Sequence, residues 1–256
     1  ARWLADRARK KGFASAEVQI SETETPLHRL ETVYRRLVER LATADTPQGA
    51  LRNVIDGWFF TLEQDVLAEG KVPAGDDATL MERTNELLER RLAGVSAIAP
   101  TFCAALRGYR RAQAAGEDAK AEAILAWVAG QPNVSADAKR YAGVKGDLDH
   151  FGALSFLQGI LTVLRDSGRS GMLVVLDEVE TIQRVRGDVR ERSLNALRQW
   201  IDEVDSARFP GLYLLITGTP SFFEGPQGVQ RLEPLAQRLQ VDFKTEARFD
   251  NPRAVQ

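Results

Sequence analysis

The chain has 256 residues, enough for one large domain or for a core domain that carries an insertion. Its formal net charge of −2 excludes a global positive field that would recruit nucleic acid, leaving room only for a local basic face. A single cysteine, Cys103, excludes a disulfide within the chain, and no apolar run reaches the ~18 residues that span a bilayer, so a cytoplasmic protein without a membrane partner is expected.

Residues 1–11 read as a helix that ends in basic residues and then Gly12, and 13–21 read as a strand with alternation at its end. A helix running into a strand in this way is the arrangement expected directly after a phosphate-binding loop. No G-x-x-x-x-G-K-[ST] occurs in the 256 residues, so the expectation is that the chain begins just after such a loop. Thr25 and Pro26 have the form of an N-cap and first helical residue, which predicts a helix over 26–42 with Leu27, Leu30, Val33, Tyr34, Leu37, Val38 and Leu41 on one face. His28, alone beside this helix start, is read as structural.

Residues 43–146 lack a strand pattern. Helical patterns fall at about 48–69, 77–93, 95–115, 117–130 and 135–142, separated by Gly, Pro and Asp, which predicts an all-helical insertion. Trp58, Phe59 and Phe60 are expected in its core. The basic clusters Arg90-Arg91 and Arg107–Arg111 are read as charged helix faces rather than a nucleic-acid surface, since no DNA-binding motif accompanies them.

An apolar helix over 151–167 leads through Arg169-Ser170-Gly171 into Met172-Leu173-Val174-Val175-Leu176, a run suited to a strand covered on both faces. It ends in Asp177-Glu178, giving the form of a Walker B element. There the Asp holds the water shell of Mg²⁺ and the Glu orients or deprotonates the water that attacks a γ-phosphate. Helix 193–207 and a second buried-type strand, 211–216, complete a strand–helix–strand unit. That strand ends in Thr217-Gly218-Thr219, two hydroxyl residues at the tip of the strand beside the acidic pair. Ser221–Val229 reads as a loop, 231–239 as a short helix and Val241–Phe243 as the start of an edge strand; the chain stops where a lid domain would begin.

Three runs, GMLVVLDEVETIQRVRGDVRERSLNALRQWIDEV, GLYLLITGTPSFFEGPQGV and LEPLAQRL, resemble the P-loop ATP-binding proteins of bacterial phage-exclusion (BREX) systems, the BrxC/BrxD type. SETETPLHRLETVYRRL after the first strand and Gly146-Asp147 before helix 151–167 fit as well. The resemblance implies an α/β, parallel-sheet P-loop NTPase core of AAA+ or STAND-like kind at 1–42 and 147–256, a helical insertion at 43–146, and a fragment lacking the Walker A loop and the lid. It implies ATP binding and Mg²⁺-dependent hydrolysis in defence against phage, in a homo-oligomer working with other defence-system subunits. Carried over by position, Asp177 would hold Mg²⁺ through water and Glu178 would be the base. Thr217 would be the sensor, with Thr219 the alternative. Arg238, and after it Arg231, would reach a γ-phosphate in the same or a neighbouring subunit. The rival expectation is a degenerate, non-hydrolysing scaffold of the same fold for protein or DNA partners, DNA having no motif in its support.

Overall fold

The computed structural model describes residues 1–239, so the strand expected from Val241 lies outside the described residues. Three parallel strands form the sheet in the order β1-β2-β3: β1 (Phe13–Gln19), β2 (Gly171–Asp177) and β3 (Leu212–Ile216). Register runs from Phe13 opposite Gly171 to Gln19 opposite Asp177, and from Met172 opposite Leu212 to Leu176 opposite Ile216. All three strands therefore end at one edge. β2 is central, which explains its unbroken apolar run: Val174, Val175 and Leu176 are fully buried.

Eleven helices flank this sheet among the described residues. α1 (Arg2–Lys10) leads into β1, and α2 (Leu30–Glu39) comes after it. α3 (Leu51–Ala68), α4 (Asp77–Ser96), α5 (Pro100–Ala114), α6 (Asp118–Val128) and α7 (Ala136–Ala142) fill the strandless stretch. α8 (His150–Asp166) returns the chain to β2, and α9 (Gly187–Asp205) crosses from β2 to β3. The short helices α10 (Pro220–Glu224) and α11 (Glu233–Arg238) come last.

α8 is the spine on which the helical stretch rests. Gly159 lacks the Cβ that would come within 2.6 Å of the Phe102 ring, so α5 approaches α8 closely there. The Trp58 indole N–H donates to Asp166 Oδ2 at 2.7 Å, while Arg91 pairs with Asp166 at 2.7 Å and with Asp65 at 3.1 Å. The buried side chains of the sheet and of α3–α8 form one continuous apolar cluster.

The structure differs from three of the sequence expectations. The second helix begins at Leu30 rather than 26, because the Ser21 hydroxyl accepts from the backbone N–H groups of Glu24 (3.1 Å) and Thr25 (2.9 Å) and folds 21–25 into a turn of its own. Phe60 is 61% exposed, while its neighbours Trp58 and Phe59 are buried as expected. The stretch after β3 is not all loop: Pro220 at a first helical position starts the short α10.

Candidate functional site

The site forms where β2 and β3 leave the sheet. Thr217 N–H donates to the Leu176 carbonyl at 2.9 Å and Val179 N–H donates to the Thr217 carbonyl at 3.2 Å, so the two exits stay paired beyond the strands. The Thr217 hydroxyl donates to Asp177 Oδ1, and Glu178 N–H donates to the same oxygen at 3.1 Å. Asp177 is thus oriented by two donors on one oxygen, with Oδ2 left for another partner.

Glu178 has φ 57° and ψ 40°, the left-handed region that side chains with a Cβ avoid. The turn is held from behind. Thr181 Oγ1 donates to the Glu178 carbonyl at 3.0 Å and lies 3.1 Å from the Ile20 carbonyl, and a 3₁₀ helix, Val179–Arg184, begins at once. The Glu178 carboxylate is exposed and has no hydrogen-bond partner among the described residues, so it is free to accept from a bound molecule.

The remaining candidates, Thr219, Arg231 and Arg238, make no hydrogen bond to Asp177 or Glu178 among the described residues. Thr219 is exposed and precedes α10 with its hydroxyl uncommitted. Arg238 donates through Nε to Asp202 and through Nη1 to the Pro234 carbonyl at 2.9 Å. Asp202 lies fifteen residues along α9 from Gly187, about 22 Å at the helical rise. Arg231 is exposed.

Sequence reasoning misses one feature of the site. Glu180 Oε2 is buried without a hydrogen-bond partner, 3.3 Å from where a Cβ on Gly218 would sit. The Asp-Glu-x-Glu spacing is the available signal. Which oxygen is buried depends on how β3's exit passes over the 3₁₀ turn, and no local pattern reports that.

A polar cleft of about 890 Å³ opens beside Asp177 and Glu178 over β1, a size suited to a nucleotide-scale ligand. Arg2 and Arg9 of α1, Arg36 of α2 and Arg40 directly after α2 line it. Arg9 is held by Ser15 Oγ at 2.7 Å and by Asp6, and Arg36 by Glu39 at 3.0 Å; Arg2 and Arg40 make no ion pair within the described residues. By contrast, the basic clusters of the helical stretch are largely committed. Arg107 pairs with Glu89, Arg110 with Glu63 and Arg111 with the Tyr141 carbonyl. No group of three or more His, Cys, Asp or Glu is arranged to hold a metal among the described residues.

A family model described as "BREX system ATP-binding protein BrxC/D" matches residues 1–256. The chain belongs to this BrxC/D family. No curated protein and no solved structure matches it. The resemblance read from the three sequence runs is therefore correct, and the α/β architecture with its parallel sheet agrees with it. The family is one of ATP-binding proteins. No helix among the described residues is long and apolar enough to cross a membrane.

Proposed function

We propose that the chain carries the hydrolytic half of an ATPase site of P-loop type within the BREX antiphage system. The observation that supports this reading most is the convergence of Asp177, Glu178 and Thr217 at the ends of adjacent parallel strands, where α/β folds place ligands. Asp177 Oδ2 would hold a nucleotide-bound Mg²⁺ through its water shell, a manner of binding that one carboxylate suits. The ion, when present, would neutralise charge on the β- and γ-phosphates. Glu178 accepts the proton of the attacking water as its oxygen adds to the γ-phosphorus and the bond to the β-phosphate oxygen breaks, leaving ADP and phosphate. Thr217 keeps the Asp177 carboxylate in one orientation, and Thr219 offers the uncommitted hydroxyl to the phosphate side. Arg2 and Arg40 supply positive charge along the cleft.

Arg238 enters this reading only through a neighbour. Within its own subunit it is anchored to Asp202 at the far end of α9, so the phosphate it would contact belongs to the next copy in an assembled oligomer. Residues 43–146 act in this reading as an inserted helical unit docked on α8.

The deciding experiment is Glu178→Gln in the full-length protein. The amide keeps the shape but cannot take the proton, so turnover falls ~10²- to 10⁴-fold while the ATP dissociation constant stays within about threefold. Turnover at the wild-type rate would remove Glu178 from the role of base. A wild type with no turnover that still binds ATP would favour the scaffold reading.

A further inference from the structure

The first turn of α9 carries an arginine that the hydrolytic reading leaves without a role. Arg190 Nη2 donates to the carbonyls of Gln183 at 2.9 Å and Val185 at 3.0 Å, which are the last carbonyls of the 3₁₀ turn that begins after Glu178. Its Nη1 donates to Gln227 Oε1, on the segment after β3. Its backbone N–H donates to the Arg186 carbonyl at 2.8 Å, so the side chain projects from a fixed point on the helix. Beside it, Gln183 Nε2 donates to the Ser221 carbonyl at 3.0 Å. One guanidinium and one amide therefore tie the exit of β2, which carries Asp177 and Glu178, to the exit of β3, which carries Thr217.

The chemistry is specific to arginine. The planar fork meets carbonyls on one edge and an amide oxygen on the other, an arrangement that the single ammonium of lysine does not reproduce. Arg190 makes no ion pair among the described residues; its two Nη groups face carbonyl oxygens, including those at the negative end of the 3₁₀ turn, while its Nε is buried without a partner. A left-handed residue such as Glu178 persists only where its surroundings over-determine it. Thr181 holds the start of that turn through the Glu178 carbonyl, and Arg190 holds its end.

We infer that Arg190 is a positioning residue for ATP hydrolysis, bracing the two strand exits so that Glu178 faces the attacking water while Thr217 holds Asp177. The inference rests on the hydrolytic reading proposed for this site. It places the effect of Arg190 on the chemical step, exerted through Glu178, and not on nucleotide affinity.

The test is single-turnover ATP hydrolysis and nucleotide binding by the full-length protein carrying Arg190→Ala, Arg190→Lys, Gln227→Ala, Glu178→Gln, and the Arg190→Ala, Glu178→Gln pair. Arg190→Ala is expected to slow hydrolysis ~10- to 100-fold with the dissociation constant within about threefold, as misplacement of a catalytic group does. Arg190→Lys should recover little of this, and Gln227→Ala should slow hydrolysis by a smaller factor. In the Glu178→Gln background, Arg190→Ala should cost nothing further, because the group it positions no longer takes the proton. An equal loss in both backgrounds, or a loss confined to affinity, would overturn the assignment. So would wild-type hydrolysis by Arg190→Ala beside an inactive Glu178→Gln. Wild-type hydrolysis by Glu178→Gln would instead overturn the underlying reading, and the role of Arg190 with it. If Arg190→Ala fails to fold, Gln227→Ala and Arg190→Lys carry the test; full activity in both overturns the proposal.

Discussion

Glu178 holds its left-handed backbone at a cost of about 1–2 kcal/mol relative to a residue without a Cβ. Replacing it with glycine removes that cost but adds roughly 0.5–1 kcal/mol of chain entropy to the unfolded state. Glu178→Gly is therefore expected to raise the unfolding free energy by about 0.5–1 kcal/mol while abolishing hydrolysis, a trade read from urea denaturation beside an ATPase assay. Gly218 presents the opposite case. A Cβ there would lie 2.9 Å from Val179 Cγ2, inside contact distance, so Gly218→Ala should destabilise by about 1–3 kcal/mol and slow hydrolysis by pushing the two exits apart. A Gly218→Ala variant with wild-type stability and rate would show that the exits tolerate separation. The identity of the acidic pair is readable from sequence because an apolar run breaks abruptly into two carboxylates. Its left-handed turn is not, since glutamate gives no hint of a positive φ.

Between β1 and α2, a turn carries His28, whose Nδ1 lies 3.4 Å from the hydroxyl of buried Ser193 on α9. Burial, then Arg192 and Arg29, lower its pKa from the ordinary 6.5, while Glu31 and Asp188 pull weakly the other way. The folded state thus prefers the neutral ring. The unfolded chain binds the extra proton first, so the stability contributed by His28 is complete above 6.5 and is lost as pH falls from there through the lowered value. His28→Gln should flatten the decline in urea midpoint between pH 7 and 5; an unchanged slope would assign the decline to other groups. Element by element, the five helices of the strandless stretch and the strands β2 and β3 are legible from their apolar patterns, but β3, expected to be buried like β2, is largely half-exposed, with Tyr213 60% exposed. Element starts are less so: Thr25-Pro26 has the right composition for a helix start, yet Ser21 captures the neighbouring N–H groups first. Phe60 reads as core from its apolar neighbours, but a helix turns 100° per residue and the third consecutive aromatic faces outward.

For the whole molecule, the continuous cluster running from the sheet through α8 into α3–α7 predicts joint unfolding of these parts. Cys103 offers the probe: it is fully buried on α5, and burial pushes its thiol up to about 11. Its labelling by a thiol reagent should track the same denaturant midpoint as the loss of circular dichroism, whereas labelling well below that midpoint would mean that the helical stretch opens alone. Phe102→Ala, which empties the contact with Gly159, should lower stability by about 3–5 kcal/mol and shift both probes together. At the scale of assembly, Arg238→Ala is expected to reduce ATP turnover more than ATP affinity, and only where sedimentation shows an oligomer. A variant equally impaired as a monomer would place the effect of Arg238 within its own subunit. The sequence marks this arginine without showing that Asp202 already holds it.

The four tryptophans divide sharply in their exposure to solvent. Trp58, Trp127 and Trp200 are 0–3% exposed, whereas Trp3, on the first turn of α1, is 66% exposed with the Arg7 guanidinium 5.3 Å from its ring centre. Collisional quenching by acrylamide therefore acts on essentially one fluorophore in the folded protein. Trp3 adjoins Arg2 at the rim of the cleft beside Asp177, which makes the native chain an optical instrument for its own ligand: a nucleotide settling against that rim is expected to lower the quenching constant of this one indole while the three buried emitters supply an internal reference.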